Sequence, residues 1–200
     1  MRSFELHSAV RNSCLHSVDS RDMNSDSTRL RDTLRPLLTA DSLWNFALAL
    51  YGRAGVEAAC LQLQDEAGVD VCELLWHCWL YHHGLMVISE PKGLEEVRRW
   101  QRGVTEPLRQ LRRTLKTEAQ ERQEIADVRY HLKRAELAAE RETLERLQAL
   151  VTTGHHLKVL SSPPPSLEKT LANALKLQKK SHLSALKTLE TRLDPPSQPR

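Results

Sequence analysis

The chain has 200 residues, 40% of them hydrophobic and 28% charged, which fits a water-soluble protein of about one domain with extensions. Its 29 Lys and Arg against 26 Asp and Glu leave a net charge of only +3, so global charge does not demand a nucleic acid or an anionic membrane as partner. The most apolar stretch, Val69 to Leu80, is interrupted by Asp70, Glu73 and His77 and falls short of the roughly 20 apolar residues of a spanning helix, which excludes a transmembrane segment.

Residues 1–40 are rich in Ser, Asp, Asn and Arg, lack an apolar signal core, and show neither helical nor strand periodicity. They read as a disordered N-terminal extension of a cytoplasmic protein, in which translation is expected to start at Met23, ahead of the polar run Asn24 to Thr28. In that compartment the cysteines at 14, 60, 72 and 78 are expected as thiols, the last three buried among Leu, Val and Trp.

From Asp41 to Thr153 the pattern is helical. A first helix is expected over Ser42 to Arg53, with apolar positions Leu43, Phe46, Ala47 and Leu50 and Gly55 beyond its end. A second covers Val56 to Ala67 and stops at Gly68. A third starts at Asp70, where Asp70 and Glu73 have capping-box spacing, and runs to about His83 before Gly84. A fourth occupies Leu94 to Arg102 and is ended by Gly103, after which Thr105 caps the next. Leu108 to Thr153 contains no Gly or Pro, so it permits one helix of about 45 residues. Its apolar stripe slips phase at Thr117 to Glu124 and again near Leu137, which argues as strongly for a break or bend. Residues 154–166 read as a Ser/Pro linker. Residues 167–193 form a candidate amphipathic helix with a leucine face that includes Leu171, Leu175 and Leu186 and a basic side that includes Lys179 and Lys180, and 194–200 are a disordered end. No segment reads as a strand hairpin. The fold class is all-α: a small helical bundle, a long charged helix, and a separate amphipathic tail helix.

Four features carry candidate function. Arg109, Arg112, Arg113 and Lys116 recur at i, i+3, i+4 and i+7 on one side of a helix. This stripe either pairs with the acidic helices upstream, where Glu57, Asp65, Glu66, Asp70, Glu73 and Glu90 stand in a stretch without Lys or Arg, or stays open to a polyanion such as RNA or DNA. Pairing is favoured, because no aromatic and basic interleaving accompanies the stripe. Second, Cys72, His77, Cys78, His82 and His83 are metal-ligating types, but one helix presents only two of them on a face and no second pair completes a tetrahedron. Packed thiols are expected, and no cofactor. Third, Trp44, Trp76, Trp79 and Trp100 read as core. Fourth, the tail's leucine face must dock on the domain, pair with another copy, or bind a partner or membrane surface. Catalytic motifs are missing: there is no nucleophile elbow, phosphate-cradling loop or Glu-x-x-His pair.

The run Leu43 to Tyr51, then Gly55-Val56, Ala59 to Asp65, Gly68 and Asp70-Val71, with Trp100, Pro107-Leu108-Arg109, Leu111-Arg112-Arg113, Leu115-Lys116 and Glu136 to Arg141 downstream, resembles an uncharacterised family of small bacterial proteins known only as a domain of unknown function. The likeness spans roughly Ser42 to Leu150, with Cys72 standing where the pattern leads one to expect Asn. It implies a small cytoplasmic helical protein and no activity. Its distinctive polar stretch is Gln64, Asp65, Gly68 and Asp70, and a contact from Asp65 to Arg109 or Arg112 would tie the turn to the long helix. The resulting expectation is a non-catalytic interaction or adaptor module that binds a protein or a second copy of itself. Electrostatic nucleic-acid binding and an unfamiliar helical enzyme site around Asp65, Asp70 and Arg112 are the alternatives.

Overall fold

The computed structural model describes residues 40–151 and 156–194, together with Pro36 and Leu38. The expectations for Met23 as a start, for Cys14 and for the two chain ends lie outside the described residues. Almost all regular structure is helical: α1 (Leu43–Tyr51), α2 (Val56–Ala67), α3 (Val71–His82), α4 (Leu94–Trp100), α5 (Glu106–Thr114), α6 (Glu118–Glu121), α7 (Gln123–Leu150), α8 (Leu167–Ala174) and α9 (Lys180–Arg192).

The core is built on α3, where Leu74, Trp76, Cys78, Trp79 and Leu80 are all buried. A helix apolar on nearly every side must be covered on every side. Here α1, α2, the second half of α7 and the tail helix α8 supply that cover. Asp70 starts α3 as expected, its carboxylate accepting the Glu73 backbone N–H at 2.9 Å. Ahead of it, Gly68 closes α2 at φ 66°, and the Val69 N–H reaches back to the Leu63 carbonyl at 3.3 Å. Ser42 gives α1 no side-chain cap. Instead the Leu43 N–H donates to Gln148 Oε1 of α7 at 2.9 Å, while Gln148 Nε2 donates to the Leu38 carbonyl.

Several expectations are corrected. Gly103 does not end a helix: it keeps a right-handed backbone, and α4 runs through a π-helical turn, Gln101–Thr105, straight into α5. Thr105 is a buried residue of that turn and caps nothing. The long helix is broken at the first phase slip, where Arg122 takes an extended conformation between α6 and α7, but α7 is continuous through Leu137. The chain also contains a small long-range ladder that the sequence does not announce, β1 (Leu85–Val87) antiparallel to β2 (Leu157–Val159), with Leu85 opposite Val159. It places the 160s beside α3, where the Tyr81 hydroxyl donates to the Pro165 carbonyl at 2.6 Å.

The tail is two helices rather than one. Lys176 sits at φ 54°, the left-handed position usually given to glycine, and the Leu177 N–H closes the turn on the Ala172 carbonyl. That reversal buries Leu177, which lies off the leucine stripe of a straight helix, and lets α9 pack along α2 while α8 packs on α3. Leu167, Leu171, Leu186 and Leu189 are fully buried. The leucine face is thus covered by the domain of the same chain.

Candidate functional site

The basic stripe divides into two halves. Arg109 and Arg112 turn inward onto α7, and the pair clamps one carboxylate: Arg109 Nε reaches Glu136 Oε1 at 3.0 Å, and Arg112 donates to both Glu136 oxygens. Arg109 also reaches Glu140 at 2.7 Å and Glu106 at 3.1 Å. Glu136 is 5% exposed, so this network lies at the base of the α5–α7 pair and not at its margin. Burial pushes the Glu136 carboxyl up, but the Arg112 and then the Arg109 guanidinium outweigh it and hold the group below the usual carboxylate range. Arg113 and Lys116 are exposed and form no ion pair among the described residues.

Asp65 does not meet Arg109 or Arg112. It is exposed, as α2 turns that side to solvent, and Gln64 is half-buried beside it. The turn is tied down through Asp70 instead, whose second carboxylate oxygen accepts from Gln101 Nε2 in the π turn at 2.7 Å. Sequence reading missed Gln101, since nothing in a Trp-Gln-Arg-Gly run announces a π turn. Burial raises the Asp70 carboxyl, the Glu140 carboxyl and the Cys72 thiol, and pushes Tyr51 up to about 12, with the Glu57 carboxylate adding to the last. Tyr51, Asp70, Cys72, Gln101, Arg109, Glu136 and Glu140 thus form one polar seam joining α1, α3, the π turn, α5 and α7. Its carboxylates are bonded to Gln101, Arg109 and Arg112, which makes it a structural clasp.

The five metal-ligating types on α3 diverge. Cys72 faces the seam, and Cys78 is buried in the core beside Cys60. His82 stacks near Phe46, and His83 meets Asp41 at 3.0 Å. His77 lies in a groove on the other side of α3, its imidazole pushed down to about 4 by burial and by the Arg98 charge. Among the described residues no group of three or more His, Cys, Asp or Glu is placed to hold a metal ion.

Trp76 and Trp79 are core, with the Trp79 indole donating to the Asp41 carbonyl at 3.2 Å. Trp44 and Trp100 are only half-buried and carry Arg141 and Arg146 over their rings at 5.6 and 4.3 Å. Of the tail residues, Leu171 and Leu186 are buried, Leu175 is half-buried, and Lys179 and Lys180 stand in solvent.

A surface remains that the sequence reading did not single out. Helices α5 and α6 lie along the first half of α7, and none of the three contributes a buried residue before Glu136. On the outer side of α7, Tyr130 (58% exposed) and Leu137 (49%) fall in line with Arg134 and Arg141 at i, i+4, i+7 and i+11. The line runs on to Trp44 and, one turn along α1, to Leu48 at 52% exposed. Residues 42–147 match the family model described as "Protein of unknown function (DUF2390)". The chain belongs to that family. No curated protein and no solved structure matches it. The matched stretch holds α1 to α5, α6 and most of α7, including the whole polar seam and the exposed line, and leaves α8 and α9 outside. Among the described residues no helix is long and apolar enough to cross a membrane.

Proposed function

We propose that the protein is a non-catalytic interaction module of the cytoplasm, and that it recognises its partner with the line Tyr130, Arg134, Leu137, Arg141, Trp44 and Leu48 rather than with its leucine-rich tail. The carrying observation is the half exposure of Leu48, Tyr130 and Leu137 in one line, on an arm only two helices thick. Aromatic and arginine side chains concentrate binding energy in interfaces. Arg113, Lys116, Lys133 and Arg134 form no ion pair among the described residues, so the arm favours a protein segment whose apolar stripe is edged by acidic side chains. The buried free thiols of Cys60, Cys72 and Cys78 support a reducing compartment.

Two arginines of the basic stripe are consumed by Glu136, Glu140 and Glu106, which weakens the nucleic-acid reading. The full chain, immobilised in nuclease-treated extract of its source cells, is expected to retain an acidic protein in stoichiometric amount, and Leu137→Asp to lose it while melting like the wild type. Retention of RNA or DNA without nuclease, weakened steeply by salt and lost in Arg113→Glu, would replace this reading with the electrostatic one.

A further inference from the structure

On the side of α3 that carries Glu73 and His77, the body and the tail border an open groove of about 680 Å³. Its lining is mixed: Trp76 from α3, Val87 from β1, Pro91 and Leu94 at the start of α4 and Leu175 from the end of α8 make the apolar part, beside the charged groups Glu73, Glu90, Arg98 and Lys169. Three of its charges are tied to one another. Arg98 grips both oxygens of Glu73 at 2.8 and 2.9 Å, and its remaining nitrogen takes Glu90.

What is left over is a set of donors. Trp76 is fully buried, yet its indole N–H has no acceptor among the described residues. A buried donor left unmet is destabilising unless something from outside meets it. Lys169, on the opposite wall, is exposed and forms no ion pair among the described residues, and the Asn173 amide one turn further along α8 makes no hydrogen bond there. His77, held neutral by burial and the Arg98 charge, adds no positive charge of its own. The apolar part of the lining, two neutral donors and one unspent ammonium fit a ligand with an apolar body and an anionic pair of acceptor oxygens.

We infer that this groove binds a small carboxylic acid with an aryl or branched-alkyl body, its carboxylate toward Lys169 and within reach of the Trp76 indole N–H, and its body against Val87, Pro91 and Leu94. The site goes beyond the interaction surface, which lies on α7 and α1, so the two can fail separately. It also gives the tail a second use, since Lys169, Asn173 and Leu175 come from the part of the chain outside the family match.

The probe is 4-phenylbutyrate, titrated into the full chain at about pH 7.5, where the acid is ionised. Binding is followed by calorimetry and by the indole N–H resonances in an amide-proton NMR spectrum. Saturable one-to-one binding that moves the Trp76 indole resonance is expected, with affinity reduced about tenfold or more in Lys169→Gln and for the neutral isostere 4-phenylbutanol. Lys169 is exposed, so that variant folds; Trp76→Phe keeps the ring, removes the donor, and is expected to weaken binding by a similar factor wherever its melt matches the wild type. No saturation up to about 10 mM overturns the assignment. So does equal binding of acid and alcohol with no effect of Lys169→Gln, which would leave only an apolar crevice.

Discussion

Leucine stripes occur twice in this chain and meet opposite fates. In the tail, Leu167, Leu171, Leu186 and Leu189 are fully buried; on the arm, Leu111 and Leu137 are 49% exposed. The periodicity is equally plain in both. The difference lies in layers: α8 and α9 lie on α3 and α2, which are themselves covered behind, whereas α5, α6 and the start of α7 have only one another. An amphipathic pattern states that a face seeks cover, and only the count of neighbours states whether it finds any within the chain. Of the three fates open to the tail's leucine face, docking on the domain is the one it meets, and the long charged segment holds the open apolar surface.

The largest effect that would break this contrast is removal of the tail. A chain ending at Leu160 uncovers Val56, Leu63 and Leu80 as well as losing the tail's own leucines, and is expected to lose cooperative thermal unfolding and most of its solubility. A folded, sharply melting truncation would show that the domain closes its core without α8 and α9. Next in size is the clasp at the base of the arm. Glu136→Ala leaves Arg109 and Arg112 facing each other at a buried site, with a cost of about 3 to 5 kcal/mol in denaturant unfolding. A loss below about 1 kcal/mol would mean that Glu140 and Glu106 suffice to hold Arg109.

A matched pair of truncations sharpens the same point. Leu186→Ala is expected to cost about 2 to 5 kcal/mol, and Leu137→Ala no more than about 0.5, though both remove the same three carbons from a helix. Similar losses would mean that the arm is covered in solution, for which dimerisation measured by sedimentation is the direct check.

How far the sequence carried these conclusions can be seen at particular residues. The stop of α2 and the start of α3 were legible because capping is local: Asp70 with Glu73, and Gly68 at a left-handed turn, act within a few residues. The break near Arg122 was legible as a phase slip in the apolar stripe. What was not legible depended on distant partners. Gly103 looked like a stop until the π turn carried the helix past it, the left-handed Lys176 carries no glycine signal, and β1 exists only because β2 returns some 70 residues later. The same holds for the sites. Arg109 and Arg112 were found by spacing, but their partners Glu136 and Glu140 lie two helices on, and the groove is assembled from α3, α4 and α8, so no local pattern could show it.

A further contrast separates the groove side of α3 from the seam side by pH. Burial and Arg98 depress the His77 imidazole to about 4 in the folded chain, while in the unfolded chain it titrates near 6.5. The unfolded state therefore takes up a proton first: the contribution of His77 to stability is whole above about pH 6.5 and is lost as pH falls toward 4. Asp70 and Glu140 act in the opposite sense, because their raised carboxyls bind protons more readily folded than unfolded, and His83, also depressed, acts in the same sense as His77. The whole-protein profile mixes these signs, so the informative quantity is the stability difference between the wild type and His77→Phe at each pH. It should be flat above about 6.5 and move against the wild type by on the order of 1 to 2 kcal/mol by pH 4, discounted for the partial exposure of the ring. A flat difference throughout would place water or a bound anion against His77, and would move the charge balance of the groove with it.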